Sequence, residues 1–155
     1  MADLTTAHAT IDHSGLTGVG SLSRCLAQRT SSLSIGANPT ALALNATDLY
    51  DPDGWHDPSS NNNRFTCPTG KGGKMFLMTW SVEFDTDTGA PAYITIKKNV
   101  GATVVAQAPL WPYFTYSGAA PVYLDDGDYV AVSITNRTTG SVVVTDAPCT
   151  FGIMG

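Results

Sequence analysis

Charged residues are scarce in this chain of 155 residues, of which only 14% are Asp, Glu, Lys or Arg. An ordinary soluble domain carries about a quarter. The eight Lys and Arg residues form no basic run, and the formal net charge is −5. A nucleic-acid groove or an anionic membrane surface needs clustered positive charge, so we expect neither partner. Low charge is typical of an all-β protein with a hydroxyl- and amide-rich surface, or of a subunit partly buried in an assembly.

Long apolar runs are also missing. No segment approaches the roughly 18 apolar residues that cross a membrane as a helix. Residues 1–20 contain neither a basic start nor an apolar core of signal-peptide length. We therefore expect a protein that is made in the cytoplasm and is not exported by the secretory route.

Cysteine is rare, and its three copies are odd in number and far apart in the chain. An odd number cannot form a closed disulfide framework, and no pair has the spacing of a metal site. We expect Cys25, Cys67 and Cys149 to be buried as small apolar residues.

Catalytic motifs are absent as well. His8 and His13 lie near the start of the chain and His56 lies in a loop, and no Gly-x-Ser-x-Gly motif occurs. The pair Gly70-x-Gly72 does not open a helix after a strand, so nucleotide binding has no support. We predict that the protein is not an enzyme and binds no cofactor.

Calcium is the one metal for which the sequence offers candidate ligands, because carboxylate-rich loops suit this ion. None of the loops has the spacing of an EF-hand, and Asp beside Gly or Pro is ordinary turn chemistry, which we favour. The candidate carboxylates are Asp51, Asp53, Asp57, Asp85, Asp87, Asp125, Asp126 and Asp128.

The most apolar stretch of the chain is residues 75–84. In its second half Trp80, Val82 and Phe84 point one way and the residues between them point the other way, which predicts a β-strand. Its first half, residues 75–78, is apolar on both faces, as in a strand that lies inside a sandwich or between subunits. We predict that residues 74–84 form the central strand of the fold.

Further short segments of this kind are separated by turns rich in Gly, Pro, Asn and Asp. The pattern predicts an all-β fold, an antiparallel β-sandwich or jelly roll of about ten strands with no convincing helix. The predicted strands are residues 41–50, 64–67, 74–84, 92–98, 102–108, 110–116, 121–124, 129–136, 141–145 and 149–154.

Residues 1–38 differ from the rest because they are small, Gly-containing and without any aromatic side chain. Such a segment cannot build its own core, although residues 21–28 have the spacing of two helical turns. We predict an extended arm, residues 1–38, that anchors to a partner, and a head domain, residues 39–155. The candidate anchoring residues are Leu4, Ile11, Leu16, Val19 and Leu22.

Five segments of the head resemble, in order, the globular head of complement component one, subcomponent q, and the tumour-necrosis-factor-like jelly rolls. They are YDPDGWHD (50–57), RFTCPTGKGGKMF (64–76), ITIKKNVG (94–101), LDDGDYVAVSI (124–134) and TFGIMG (150–155). Two features depart from that pattern, a longer loop at Gly73 and Lys74 and Val100 between Asn99 and Gly101. The resemblance implies a jelly roll that assembles as a homotrimer. The candidate core or trimer contacts are Phe76, Trp80, Tyr93, Tyr129 and Phe151.

The segment HATIDHSGLTGVG (residues 8–20) resembles small structural proteins of tailed bacteriophages. We therefore predict a virion protein, a trimeric capsid decoration protein whose arm binds the major capsid protein or another virion structural protein. One alternative is the receptor-binding tip of a phage tail fibre or baseplate, and another is a bacterial surface adhesion module. A receptor-binding tip would recognise host-surface glycans, with Trp55, His56, Asn61 and Trp111 as the candidate contacts.

Overall fold

The computed structural model describes residues 23–29, 31–35, 40–46, 48–83, 92–99, 104–110, 115–136, 142–144 and 149–155. Every regular element in these ranges is a β-strand, and no helix long and apolar enough to cross a membrane occurs in them. The strands are β1 (Arg24–Arg29), β2 (Leu33–Ile35), β3 (Thr40–Ala41), β4 (Arg64–Thr66), β5 (Lys74–Glu83), β6 (Ala92–Lys98), β7 (Val104–Leu110), β8 (Thr115–Leu124), β9 (Tyr129–Asn136), β10 (Val142–Val144) and β11 (Cys149–Met154).

The strands form two principal antiparallel sheets. The front sheet has the order β1-β11-β5-β8, so β1 and β8 are its edges. The back sheet has the order β3-β9-β6-β7, with β4 also paired to β9, and β10 pairs with β2 in a separate two-stranded ladder. Neighbours in space are mostly distant in the chain, as the prediction of an antiparallel jelly roll requires, and that prediction is confirmed.

Strand β5 lies inside the front sheet, as predicted for the central strand. Its even-numbered side chains from 76 to 82 are buried, and its odd-numbered ones point outward. The ladder with β8 runs without a break from Lys74 opposite Leu124 to Glu83 opposite Thr115. The core therefore buries only one face of the apolar residues 75–78, and the other face points outward.

The core lies between the two sheets. Each large apolar side chain that is buried there stabilises the fold by about 1.5–3 kcal/mol. The largest fully buried side chains are Trp55, Phe65, Phe76, Phe151, Leu42, Leu44, Met78, Ile94, Ile96 and Leu124.

The predicted boundary between arm and head is wrong for the part of residues 1–38 that the structure describes. Strand β1 pairs with β11 from Arg24 opposite Met154 to Arg29 opposite Cys149, and its Cys25 and Ala27 are buried in the core. The helical spacing of residues 21–28 does not produce a helix in residues 24–28, because the inward side chains of β1 recur with a period of two. Residues 1–22, with the anchoring candidates Leu4, Ile11, Leu16, Val19 and Leu22, lie outside the described residues.

Two strand predictions are also corrected. Of the described residues among 41–50, only Ala41 lies in a strand, β3. Leu42 still donates its backbone N–H to the carbonyl oxygen of Val132 on β9, but Leu44 donates to that of Asn62 at 2.6 Å and so leaves the ladder. Residues 115–124 form one strand, β8, rather than the ends of two. Pro121 is tolerated within β8 because this strand is an edge of the front sheet, where a missing N–H leaves no ladder partner unsatisfied.

The outward face of the front sheet as a candidate interface

The front sheet turns one face to the core and one face outward, and we call the outward surface the front face. It carries the outward side chains of β1, β11, β5 and β8, together with Tyr50, which bridges to Leu26 on β1. Several large apolar side chains on this face are exposed to solvent, with Met75 at 55% and Tyr123 at 47%. The exposed large hydrophobic side chains of the front face are Leu26, Tyr50, Met75, Leu77, Tyr123 and Met154.

The strand registers place these side chains in adjoining rows. Leu77 on β5 lies opposite Pro121 on β8 and Met154 on β11. Met75 lies opposite Tyr123. Neighbouring strands are only about 4.8 Å apart, so the rows merge into one continuous apolar surface.

The other half of the front face carries hydroxyl groups. Ser81 on β5 lies opposite Ser117 on β8 and Thr150 on β11. The Ser117 hydroxyl donates to the Ser81 hydroxyl at 3.3 Å. The front face is thus divided along the strands into an apolar half and a polar half.

A pocket of about 320 Å³ opens on the front face beside β1 and β11. The residues that line it include Arg24, Leu26, Tyr50, Thr79 and Met154. Gly152 lies on its floor, where a Cβ atom would come within 2.9 Å of Thr79 Oγ1 and fill the space.

Tyr50 is held firmly as a wall of this pocket. Its carbonyl oxygen accepts the N–H of Leu26 at 2.7 Å, so the segment before the 51–63 loop is fixed to β1. The guanidinium of Arg24 lies 4.4 Å from the centre of the Tyr50 ring and donates to its hydroxyl at 3.4 Å. A cation over an aromatic face is attracted to the ring, so this contact helps to fix the position of the Tyr50 ring.

The loop that contains Trp55 and His56 was predicted to offer a stacking surface to glycans. Trp55 is only 1% exposed, and its ring meets Phe76 edge-on at 4.8 Å. Its Nε1 donates to Ser23 Oγ at 2.8 Å, and that hydroxyl donates to Asp53 Oδ2 at 2.7 Å. A buried ring cannot stack on a sugar, so Trp55 is corrected from a glycan contact to a core residue.

His56 is buried too. Its Nδ1 lies 2.6 Å from Asp48 Oδ1, and its ring lies 5.5 Å from that of Phe65. His56 is therefore also corrected from a surface contact to an internal residue, while Asn61 is exposed in the same loop. Trp111 lies outside the described residues.

The aspartates that were candidate calcium ligands and lie in the described residues bond to protein groups. Asp51 accepts the backbone N–H groups of Gly54, Trp55 and His56 in its own turn, whereas Asp126 accepts those of Gly70 and Gly72 in a loop distant in sequence.

Asp128 lies 2.6 Å from the Lys98 ammonium and also accepts from Asn99, and these two contacts lower the pKa of the Asp128 carboxyl to about 2. In the part of the chain that the structure describes, no three His, Cys, Asp or Glu side chains converge as a metal site. Asp85 and Asp87 lie outside that part.

The three cysteines are free thiols and all are buried. Burial raises the pKa of the Cys149 thiol to about 12 and also raises the pKa of Cys25 and Cys67. A buried, protonated thiol is a poor nucleophile, so these residues act as apolar filling in the folded chain.

The candidate core or trimer contacts occupy two different places. Phe76, Trp80 and Phe151 are buried inside the single chain. Tyr93 and Tyr129 are half-buried on the back sheet, where the Arg64 guanidinium lies 4.5 Å from the Tyr129 ring centre. None of the five lies on the front face, whose exposed residues were not singled out from the sequence except as part of the 75–78 run.

Comparison with known proteins gives the class of fold. No protein-family model matches the sequence, and no curated protein matches it. Among solved structures, murine APRIL is similar over 86% of this chain and 98% of its own, with 11% identity and a TM-score of 0.60. The globular domain of zebrafish complement 1qA protein is similar over 85% of this chain and 94% of its own, with 13% identity and a TM-score of 0.54.

A Bacillus endospore appendage protein, from a family of disulfide-linked pili, covers 87% of this chain and 89% of its own, with 13% identity and a TM-score of 0.50. Structural similarity at such low sequence identity shows the fold alone. The chain is a jelly roll of the complement-head and tumour-necrosis-factor-like type, as the five sequence segments implied.

Proposed function

We propose that this protein is a non-enzymatic structural subunit that forms a homotrimer through its front face and decorates the capsid of a virion. The observation that carries the first part is the cluster of six exposed large hydrophobic side chains on the front face. A contiguous apolar patch of this kind marks an interaction surface. The similar structures, which include a complement globular domain and an endospore appendage protein, support an assembling or ligand-type role and do not suggest an enzyme.

The homotrimer is tested by placing a charge in the centre of the patch. Leu77→Asp would put a carboxylate where burial against another copy removes water, so we expect the trimer to dissociate to monomers. Light scattering coupled to size-exclusion chromatography measures the molar mass. The matched control is Val104→Asp, because Val104 is similarly exposed but lies on β7 of the back sheet. A trimeric Leu77→Asp variant, or a monomeric wild-type protein, would contradict the proposal.

We propose that residues 1–22, which precede β1, bind the protein to the capsid. Since Ser23 and β1 belong to the head, a deletion that tests the arm has to end at Leu22. We expect the protein without residues 1–22 to remain a folded trimer that no longer binds capsids, as measured by co-sedimentation with capsid shells. If the shortened protein occupied capsids as fully as the wild type, residues 1–22 would not be the capsid anchor.

A second candidate is a subunit of a bacterial surface appendage, which the likeness to the Bacillus endospore appendage protein favours. Those appendages form disulfide-linked pili. Here the described cysteines are buried, so we expect no covalent linkage through them. Immunolabelling on cell or spore surfaces rather than on virus particles would favour this candidate. A disulfide ladder on non-reducing gels would show that a cysteine becomes accessible in the assembly.

A further inference from the structure

The outward surface of the back sheet differs in its chemistry from the front face, and we call it the back face. The described strands of the back sheet, β3, β4, β6, β7 and β9, contain no Asp or Glu residue. Their charged residues are Arg64, Lys97 and Lys98. Although the chain has a formal net charge of −5, the strands of this sheet therefore carry only positive charge.

Two of these cations lie on either side of a small residue. Ala131 on β9 is the register partner of Arg64 on β4 and also of Lys97 on β6. Adjacent strands are about 4.8 Å apart, so the Cα atoms of Arg64 and Lys97 are separated by about 10 Å. The methyl group of Ala131 is too small to fill the space between two such long side chains.

The guanidinium of Arg64 is fixed in position, but its N–H groups have no acceptor among the described residues. Its Cζ lies 4.5 Å from the centre of the Tyr129 ring, and this cation–π contact holds the half-buried side chain on the back face. Its Nε is buried without a hydrogen-bond partner, and the salt bridges of the described chain involve other cations. A guanidinium presents its donors as a rigid fork that matches a carboxylate or a phosphate.

Lys97 is exposed, and it too is absent from the salt bridges of the described chain. The ladder between β6 and β7 shifts register between Ile96 and Lys97, as in a β-bulge, and a bulge re-aims the side chain beside it. The acidic residue before Tyr129 does not compete for these cations, because the Asp128 carboxylate lies 2.6 Å from the Lys98 ammonium.

The groups around the two cations are neutral and polar. The next row of the back face consists of Ser133, Thr95 and Gln107, in which Gln107 Nε2 donates to Thr95 Oγ1 at 3.4 Å. Among the described outward residues of the back sheet, Val104 is the exposed large hydrophobic one. A protein interface depends on aromatic or aliphatic anchors, which the front face offers and the back face does not. Hydroxyl and amide groups beside cations favour a polyhydroxylated anion instead.

We propose that the back face binds a polysaccharide that bears carboxylate or phosphate groups, with one anionic group held between Arg64 and Lys97 above Ala131. Ser133 and Gln107 exchange hydrogen bonds with the hydroxyl groups of the polymer. The site lies on the opposite sheet from the front face, so it does not depend on the proposed homotrimer. A homotrimer would carry three copies of the site and would bind a long polymer with avidity.

Isothermal titration calorimetry with short fragments measures the affinity of one site without avidity. The probes are galacturonic acid oligomers, which supply carboxylates, and glycerol phosphate oligomers, which supply phosphates, with neutral dextran oligomers as the control. We expect the wild-type protein to bind at least one anionic probe and not dextran. The affinity should fall at least about fivefold between about 50 mM and about 300 mM salt, because the contact is electrostatic. The probe that binds more tightly identifies the anionic group.

Substitutions at the three central positions test the assignment of the site. Ala131→Asp places a carboxylate between the two cations and should weaken binding at least about tenfold, whereas Ala131→Ser should stay within about twofold of the wild type. Arg64→Lys keeps the charge but loses the fork, so it should weaken binding clearly. Lys97→Ala changes an exposed side chain, so it should leave the fold intact and weaken binding about threefold or more.

The matched control for Lys97→Ala is Lys74→Ala, which removes the same charge from an exposed position at the start of β5 in the front sheet. It should bind within about twofold of the wild type. Equal losses in Lys97→Ala and Lys74→Ala, or a wild-type protein that binds neither anionic probe, would overturn the proposal. Binding of dextran as tight as that of the anionic probes would overturn the role of the cations. Tighter binding of glutamate oligomers than of either anionic probe would overturn the polysaccharide and indicate an acidic polypeptide.

Discussion

Trp55 illustrates how a single residue can be misread from its sequence neighbours. It is flanked by Asp, Gly and His in a loop rich in turn residues, which is typical of an exposed position. In the fold its indole is buried because Ser23, more than thirty residues earlier, accepts its N–H. Nothing in the sequence marks Ser23 as the partner, since β1 itself has no aromatic or β-branched residue. The burial of Trp55 therefore depends on a contact that local pattern cannot predict.

The hydrogen bond from Trp55 to Ser23 predicts a stability effect. Trp55→Phe keeps an aromatic ring but removes the donor, and we expect the free energy of unfolding to fall by about 1–3 kcal/mol. Urea unfolding followed by circular dichroism at a fixed protein concentration measures the change. Ser117→Ala, which removes an exposed hydroxyl, should stay within about 0.5 kcal/mol of the wild type. Equal stabilities for Trp55→Phe and wild type would contradict the role of this bond.

Asp128 predicts an acid-dependent loss of stability. Its pKa is lowered from 3.8 to about 2 in the folded chain by Lys98 and Asn99. A carboxyl whose pKa is lower in the folded state stabilises the fold above its unfolded pKa, and this contribution is lost as the pH falls from about 4 to about 2. Because Asp128 is close to solvent, we expect a small effect that salt weakens further.

The measurement is the unfolding midpoint of wild type and Asp128→Asn at several pH values. Asp128→Asn should be less stable than wild type at pH 6, and the difference should shrink as the pH falls towards about 2. The same comparison in a Lys98→Met background should show a smaller difference, since the first cause of the shift is then gone. A difference that is constant across the pH range would contradict the assignment.

At the scale of elements, strands with both a clear alternation and flanking turns could be predicted from the sequence. Strands β4, β6 and β9 lie within one residue of the predicted segments, because Phe65, Ile94 and Ile134 alternate with polar neighbours. Strand β1 could not be predicted as part of the head. Its inward residues Cys25 and Ala27 are too small to give a strong pattern, and its pairing with the C-terminal strand has no local signature.

Strand β8 also needs a residue without a side chain at one position, which the alternation of apolar and polar residues does not predict. Gly118 lies opposite Trp80, and a Cβ at this position would come within 2.3 Å of Trp80 Cζ2. The indole is confined by the core and cannot give way easily. The absence of a side chain at residue 118 therefore lets β8 pass over the ring.

Gly118→Ala should accordingly destabilise the fold by about 1–3 kcal/mol, the usual effect of overpacking a core. Differential scanning calorimetry measures the change in Tm. Ala119→Ser is the control at the adjacent outward position, where we expect a change within about 0.5 kcal/mol. An unchanged Tm for Gly118→Ala would mean that Trp80 can move, against the close contact described above.

At the scale of the whole molecule, the jelly roll could be predicted from the sequence, whereas most of the candidate interface could not. Met75 and Leu77 gave a signal, because an apolar run on both faces of a strand needs two dry environments. The rest of the front face depends on the registers that bring Met154 and Pro121 beside Leu77. The pocket depends on Gly152, and a glycine in a short terminal strand carries no hint of a cavity.

The pairing of β1 with β11 brings the two ends of the head together. Ser23 and Gly155 exchange backbone hydrogen bonds at 2.8 and 2.9 Å. A peptide fused after Gly155 would leave the head beside the point where residues 1–22 join it. If residues 1–22 bind a particle, a peptide fused there would lie close to the particle surface. A display scaffold built from this chain would carry its cargo better in the exposed loop at residues 59–61.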